Sequence, residues 1–284
     1  MLAFTKRNIL LYFRDKMSIS FSMLAVLILV GLYVFFLGDI TSKGLPDFPS
    51  KTALLNAWFL AGILAVASTT TTLGAFGLLV EDRSSHRYKD FYASPVARPK
   101  LIGGYIGSAL FIGTAMSLFT FIVAEVLFVI SGEPPISWQY ALRVCGVTVL
   151  AVTSSSAMVL FIVSFFKTSS AFAAASTVVG TLLGFLAGIY IPIGTLPEYL
   201  QTIVKLFPVS HSASLFRQIL MDVPLVDAFS SAPIEMKKDF MTLLGVQYEV
   251  NGKVIESKWS VFYLIGTTIV FTILSLFILR RKNN

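Results

Sequence analysis

Six stretches of the chain carry almost no charged residues, and polar segments rich in proline separate them. A hydrocarbon core about 30 Å thick is crossed by a helix of about 20 apolar residues. Each stretch is long enough, so the pattern predicts six transmembrane helices. Their ranges are Ser18–Gly38, Ala53–Val80, Leu101–Ser131, Gln139–Phe166, Ala171–Ile193 and Ser260–Leu279.

Composition supports this interpretation. Only 13% of the 284 residues are charged, against about 25% in soluble domains, which is too little for a charged surface. The net charge of +7 does not indicate nucleic acid, because the basic residues are interleaved with the apolar stretches. The single cysteine, Cys145, excludes a disulfide framework and a cysteine metal site. The two histidines, His86 and His211, fall on opposite sides of the membrane, so we expect no metal site.

The charges between the spans predict the orientation. An even number of spans puts both termini on one side, and more than half of the 22 basic residues fall on that side. Basic residues in short loops favour the cytoplasm. We therefore predict a multipass membrane protein with both termini in the cytoplasm.

The segment 1–17 precedes the first span and has a basic and an apolar side. Ile9, Tyr12 and Phe13 lie opposite Lys6 and Arg14. This pattern is typical of a helix lying in the membrane interface. The alternative is a simple positive flank of the first span, and we favour the interfacial helix.

The region between the fifth and sixth spans is too long for a simple connection. Pro197–Leu206 and Ser212–Met221 predict two helices, too short to span and too apolar for water. We expect segment 194–221 to form a pair of helices that dips into the outer membrane edge, packed on protein.

Segment 222–259 predicts a small outer cap. Pro233–Leu244 has the pattern of a surface helix. Gln247–Val250 and Lys253–Glu256 predict a β-hairpin, because Asn251-Gly252 suits a type I′ turn. The sixth span and a basic tail follow over 260–284.

The segment between the second and third spans carries most of the candidate chemistry. Arg83–Ala93 predicts a short helix with Asp82 as its cap, and Tyr88, Phe91 and Tyr92 then share one face. Aromatic residues within a charged rim are typical of a docking surface for a soluble partner. They are equally typical of a helix whose rings lie among lipid headgroups, and the residues alone leave both interpretations open.

Three further features lie within the spans. Glu125 is an intramembrane carboxylate and a functional suspect, although a structural role near the outer end of its span is at least as well supported. Thr69 and Thr72 belong to a run of hydroxyls that lines a polar path or, as we favour, bonds to the preceding helix turn. Gly180, Gly184 and Gly188 predict a helix-packing surface, within the chain or between subunits.

The sequence contains no catalytic set and no G-x-x-x-x-G-K-[ST] loop. The chain is therefore not expected to be an enzyme, and any ATP-driven activity requires a second protein. A secondary carrier predicts paired carboxylates at mid-membrane and an inverted repeat, and the sequence offers neither.

Three stretches occur in order among the six spans. They are Lys6-Arg7-Asn8 with Tyr12-Phe13-Arg14-Asp15-Lys16, then Glu81-Asp82-Arg83 with Phe91-Tyr92-Ala93-Ser94-Pro95-Val96-Ala97-Arg98, and finally Leu196-Pro197-Glu198-Tyr199-Leu200-Gln201 with Phe207-Pro208 and Leu215-Phe216-Arg217-Gln218-Ile219-Leu220. Together they resemble the membrane subunits of type-two ABC exporters, a family that includes bacterial drug and polysaccharide exporters, and the resemblance implies a location in the bacterial cell membrane.

The resemblance implies an all-α polytopic membrane protein with a cytoplasmic coupling helix, an outer re-entrant helix pair and a small outer α/β-hairpin cap. Residues implied to couple to an ATPase are Glu81, Arg83, Arg87, Tyr88, Lys89, Phe91, Tyr92 and Pro95. Residues implied to form an outer gate are Pro197, Leu200, Phe207, Pro208 and Arg217. The resemblance also implies a translocation path between two subunits, lined partly by the second and fifth spans, and Thr69, Thr72 and Glu125 are the candidate residues for such a path.

The partners implied are two ABC ATPase subunits, which carry the ATP and Mg²⁺, and a second permease copy or a paralogue. No cofactor is expected in this chain. The expected activity is export of an amphipathic substrate such as a drug, a peptide or a lipid-like molecule. The alternatives are export of a lipid-linked polysaccharide, a secondary carrier and a membrane scaffold.

Overall fold

The computed structural model is almost entirely helical. It describes residues 1–16, 48–93, 96–230, 232–250 and 253–281, with isolated positions between 17 and 47. Most of the first predicted span, Ser18–Gly38, lies outside the described residues.

The described elements follow one another in this order: α1 (Leu2–Arg14), α2 (Lys51–Ser84), α3 (Tyr88–Ala93), α4 (Arg98–Ile130), α5 (Trp138–Val163), α6 (Ser169–Leu186), a 3-10 turn (Ile193–Thr195), α7 (Glu198–Lys205), α8 (Pro208–Leu220), α9 (Asp222–Ala228), α10 (Ile234–Leu243), β1 (Tyr248–Val250), β2 (Lys253–Ile255) and α11 (Ser257–Arg281).

Five of these helices, α2, α4, α5, α6 and α11, are long and apolar enough to cross a membrane. They correspond to the second to sixth predicted spans. The end of the bundle at which Ser84 and Arg98 lie is called the basic end here. The end at which Lys51 and Trp138 lie is called the cap end, because segment 222–255 packs there.

Helix α2 is the centre of the bundle and packs against α4, α5, α6 and α8. Small residues let its neighbours approach closely. A Cβ at Gly113 of α4 would lie 2.7 Å from Cγ2 of Thr72 on α2 and 2.8 Å from Cγ1 of Val152 on α5. Helices α6 and α11 are peripheral and mostly exposed, so their outer faces are available to lipid or to another subunit.

The predicted end of the fifth span, Ile193, lies seven residues beyond the end of the helix in the structure, Leu186. Helix α6 ends at Leu186 because Gly188 adopts a φ of +66°. The N–H of Ile189 then donates to the carbonyl of Gly184 at 2.9 Å. This is a left-handed helix terminus, which glycine adopts without steric cost.

The region after α6 largely follows the prediction. Helix α7 matches it, whereas α8 begins at Pro208 rather than Ser212, because proline suits the first helical turn. Strand β1 pairs antiparallel with β2, with Tyr248 opposite Ile255 and Val250 opposite Lys253. The predicted turn residues Asn251 and Gly252 lie outside the described residues. Helix α9 was not predicted.

Candidate functional site

The helix predicted over 83–93 is shorter in the structure. Helix α2 continues to Ser84, and the chain then turns at His86, which has a φ of +63°. Helix α3 therefore contains only Tyr88–Ala93. Asp82 is not a cap as predicted, because it belongs to α2 and its side chain is buried.

Asp82 is instead the centre of a buried ion pair. Nη1 and Nη2 of Arg7 donate to its two carboxylate oxygens at 2.9 and 3.0 Å. The hydroxyl of Tyr105 on α4 donates to the same carboxylate at 2.6 Å. A two-pronged guanidinium–carboxylate pair is among the stronger polar contacts in proteins, so this pair joins α1, α2 and α4.

Aromatic rings extend this contact to α3. The guanidinium of Arg7 lies 4.9 Å from the ring centroid of Phe91. Phe4 packs edge-on against Phe91 at 5.1 Å and against Tyr105 at 5.0 Å. These five residues, Phe4, Arg7, Asp82, Phe91 and Tyr105, are called the coupling junction.

The guanidinium of Arg7 stays protonated at neutral pH. Burial lowers the pKa of Arg7, but the hydrogen bond and the negative charge of Asp82 outweigh it, and the pKa is raised overall. The guanidinium is therefore held protonated against the carboxylate.

Five of the eight predicted coupling residues fall into two groups. Phe91 is half-buried and faces α1 of its own chain, and Arg83 donates to the carbonyl of Val163 at 3.3 Å. In contrast, Glu81, Arg87 and Lys89 are exposed, and Arg87 approaches Glu81 at 3.5 Å. Of the remaining three, Tyr88 is half-buried. The side chain of Tyr92 and the whole of Pro95 lie outside the described part of the chain.

The hydroxyls of α2 serve the helix backbone. Thr72 donates to the carbonyl of Ser68 at 3.0 Å, and Thr69 to that of Ala65 at 3.3 Å. Thr69 also pairs with Ser155 of α5 at 2.8 Å. Both threonines are fully buried, so in this conformation they lie inside the bundle and not on an open path.

The three predicted packing glycines have different surroundings. A Cβ at Gly184 would lie 2.2 Å from the ring of Tyr190, so Gly184 packs within its own chain. Gly188 lies beyond the end of α6, and a Cβ at Gly180 would meet open space. They do not form one continuous surface, because α6 ends before the third glycine.

At the cap end, α8 carries a fully buried arginine. Nη2 of Arg217 donates to the carbonyls of Ala187 and Gly188 at 2.6 and 3.1 Å, and Nη1 to that of Gly245 at 3.5 Å. Those carbonyls follow the C-termini of α6 and α10. Carbonyl oxygens at helix C-termini carry partial negative charge, so the backbone neutralises the guanidinium.

The remaining environment of Arg217 is aromatic. Its guanidinium lies 5.3 Å from the ring centroid of Trp58 on α2, a favourable cation–π geometry. Among the described residues Nε has no hydrogen-bond partner and no salt bridge reaches this side chain. Burial lowers the pKa of Arg217 to about 10, which still leaves it protonated at neutral pH.

A second polar cluster fixes the corner between α7 and α8. Buried His211 contacts the carbonyl of Lys205 through Nε2 at 2.9 Å and the hydroxyl of Ser260 through Nδ1 at 3.1 Å. Its ring stacks on Tyr263 with centroids 4.1 Å apart. The hydroxyl of Tyr263 donates to the carbonyl of Leu206 at 2.6 Å. The carbonyls at the end of α7 are therefore bonded by α8 and α11.

The predicted gate residues lie around this corner and along α8. Pro208 and Arg217 are buried, Leu200 is half-buried, and Pro197 and Phe207 are exposed.

Glu125, the intramembrane carboxylate, accepts the backbone N–H of Ile136 at 2.7 Å and therefore holds the connection between α4 and α5.

Arg7, Asp82 and Tyr105 were not predicted to act together. An acid directly after a long apolar helix is a signal that a basic partner is required, but the sequence does not say which. His211 was noted only as distant from His86. Its partners are the carbonyl of Lys205, the hydroxyl of Ser260 and the ring of Tyr263, and no sequence spacing links them to His211.

Comparison with known proteins agrees with this architecture. Nodulation protein J of Rhizobium meliloti (strain 1021) is 26% identical over 183 residues, which cover 64% of this chain and 67% of the relative. Nodulation protein J of Rhizobium leguminosarum bv. trifolii is 28% identical over 179 residues, covering 63% and 65%. The profile of the family described as ABC-2 type transporter matches residues 1–221. That range contains the coupling junction and both helices of the α7–α8 pair, and on this match the chain belongs to the ABC-2 type transporter family.

Proposed function

We propose that this chain is the permease subunit of an ATP-driven exporter and moves an amphipathic substrate out of the cell. Membership of the ABC-2 family supports a role as a multipass transport component working with an ABC ATPase. The direction of transport, the substrate and the composition of the complex are parts of the proposal. The names of the two relatives refer to nodulation and to no drug, so the narrower multidrug assignment gains no support from them.

The observation that carries the proposal is the position of α3. This short helix lies at the basic end, and its own chain holds it through the contact between Phe91 and Phe4. Lys89 and Asp90 on this helix and Arg87 directly before it are exposed. A helix with one side fixed to the bundle and the other carrying charges suits a surface that receives movement from a partner.

The coupling junction gives that movement a route. A displacement of α3 acts on Phe91 and, through Arg7 and Asp82, on the end of α2. Because α2 packs against α4, α5, α6 and α8, a tilt of α2 changes the positions of both the peripheral span α6 and the α7–α8 pair. In the proposed cycle, ATP-driven closure of two ATPase subunits moves α3 in two permease subunits, and the spans then open outward.

Orientation follows from the basic end. We place it in the cytoplasm, because basic residues in short connections favour that side. The α7–α8 pair and segment 222–259 then face outward, where Arg217 and His211 hold the proposed gate closed. The proposed contact between the two copies is the exposed face of α6.

The test is co-purification of the full chain with the ABC ATPase encoded nearest to it, followed by measurement of ATP hydrolysis. Charge reversal of exposed Lys89 (Lys89→Glu) is expected to reduce the bound ATPase at least tenfold. The control is Lys238→Glu, an exposed lysine of α10 at the cap end, which should leave the complex intact. Phe91 is less suitable for this test, because its truncation also removes packing within the chain.

Failure of the wild-type chain to bind any ABC ATPase in lipid or detergent would overturn the proposal. Equal loss of the complex in both variants would also contradict it, because the contact would then not lie at α3. The first of these results would favour a carrier or a scaffold.

A further inference from the structure

A cleft of about 290 Å³ opens at the cap end, separate from the coupling junction and from the Arg217 site. It lies between the first turns of α2, the connection from α4 to α5, and the junction of α8 with α9. Apolar side chains form most of its wall, including Leu60, Phe128 and Ile219. Its volume is close to the lower limit of small-molecule sites, about 300 Å³, so it suits a headgroup and the first part of a chain.

Two half-buried carboxylates line this apolar cleft. One oxygen of Glu125 accepts the N–H of Ile136 at 2.7 Å. One oxygen of Glu133 accepts from Nδ2 of Asn56 at 3.4 Å. Within the described chain neither carboxylate forms a salt bridge, and no Lys, Arg or His is found among the described residues that line the cleft.

An unpaired carboxylate is costly in apolar surroundings, and a nearby cation offsets that cost. Arg143 is not among the residues that line the cleft, and its guanidinium is 5.3 Å from the ring centroid of Tyr140, which is. The hydroxyl of Tyr140 in turn donates to Asp222 at 2.8 Å. Neither contact neutralises the two glutamates, so among the described residues the cleft combines an apolar wall with two carboxylates that have no basic partner.

We propose that this cleft binds the ammonium group of an amphipathic amine between Glu125 and Glu133, with the first carbons of its chain against Leu60 and Phe128. The ring of Phe128 adds a surface that favours cations. The same chemistry is offered by the aminoethyl headgroup of a lipid and by a free amphipathic amine. Binding at this site does not depend on the proposed export function, because it requires neither an ATPase nor a second subunit.

The test uses the full chain in uncharged maltoside micelles and titrates octylammonium, with octanol and octanoate as probes of equal length. Glu125→Gln keeps an oxygen that accepts the Ile136 N–H but removes the charge. Glu133→Gln does the same toward Asn56. Each substitution is expected to weaken octylammonium binding at least tenfold. The matched control, Glu235→Gln on exposed α10, should bind octylammonium as the wild type does.

Octanol and octanoate should bind at least tenfold more weakly than octylammonium. Competition by added phosphatidylethanolamine, but not by phosphatidylglycerol, would identify a lipid headgroup as one source of the amine. Absence of that competition, with octylammonium still bound, would identify free amines. Equal binding of octylammonium by the wild type and both glutamine variants would overturn the proposal, as would equal binding of octanol and octylammonium.

Discussion

The two ends of the bundle each bury a charged side chain, but they neutralise it in different ways. At the basic end, Asp82 is paired with the opposite charge of Arg7. At the cap end, Arg217 is surrounded by carbonyls that follow the C-termini of α6 and α10. The first site joins side chains from three helices, whereas the second depends on backbone geometry.

This difference determines how much helix movement each end of the bundle allows. A side-chain pair can be separated by a modest movement of one helix, because Arg7 is 28% exposed and can be hydrated when it leaves. Arg217 is fully buried and its partners cannot rotate away, since they are peptide groups in helix termini. We infer that the basic end is suited to repeated movement and that the cap end holds its arrangement until several elements move together.

Loss of Arg217 is expected to have the largest effect. Arg217→Met removes the donor to three buried carbonyls and should destabilise the protein by about 3 kcal/mol or more. The measurement is the midpoint of thermal unfolding in detergent. Arg217→Lys is the matched control. Lysine keeps the charge but has fewer donors, so the unfolding midpoint of Arg217→Lys should lie between those of the wild type and Arg217→Met.

Because Arg217 is held by backbone carbonyls, a change in the backbone at Gly245 should also destabilise this site. Gly245 has a φ of +67°, and a Cβ there would lie 3.0 Å from Nη1 of Arg217. Gly245→Ala should therefore destabilise the chain even though Arg217 is unchanged. Full stability of both Gly245→Ala and Arg217→Met would contradict the backbone account of this site.

A smaller effect is expected from the pair at the basic end. In a double-mutant cycle with Arg7→Met and Asp82→Asn, the coupling energy should be about 1.5–3 kcal/mol, the usual range for hydrogen bonds to charged groups. Asp82→Asn keeps the shape of the side chain and can still accept from Tyr105. Additive effects of the two substitutions would show that the pair contributes no stability.

Much of the fold follows from the sequence. Spans two to six are recognisable because a membrane helix needs a long apolar run. Pro197 and Pro208 mark the α7–α8 pair, and β1 and β2 pair within the two segments predicted to be strands. These features depend on local patterns, which a single sequence contains.

The interactions that join distant segments could not be predicted. Arg7 and Asp82 are 75 positions apart, and no periodicity selects one basic residue among several. The partners of Arg217 are carbonyls, which every residue has. The end of α6 was missed because Ile189 and Ile193 continue the apolar run beyond Gly188, so the left-handed turn there leaves hydropathy unchanged.

The third prediction concerns His211, which has one backbone partner, the carbonyl of Lys205, and one side-chain partner, Ser260. Burial lowers its pKa, and the hydrogen bond to the carbonyl of Lys205 opposes this only in part. The unfolded chain therefore takes up a proton at a higher pH than the folded chain. Stability is complete above about pH 6.5, the ordinary histidine value, and falls as the pH drops below it.

The measurement for His211 is the unfolding midpoint between pH 8 and pH 5. His211→Gln keeps a donor to the carbonyl of Lys205 and removes the titration, so its midpoint should lose this part of the pH dependence. The slope for a single proton is at most about 1.4 kcal/mol per pH unit. An unchanged pH profile in His211→Gln would show that another group is responsible.

The smallest effect on stability is expected from Glu81, the exposed carboxylate next to Asp82 at the basic end. Arg87 and Glu81 lie 3.5 Å apart, but both are more than half exposed, and exposed pairs contribute about 0–1 kcal/mol. Glu81→Gln should therefore leave the unfolding midpoint almost unchanged, whereas Asp82→Asn, one residue later on α2, should lower it. If Glu81→Gln also reduces binding of the ATPase, its carboxylate acts at the partner surface. Equal destabilisation by the two substitutions would mean that burial does not distinguish the two carboxylates, and the assignment of Asp82 to a buried junction would fail.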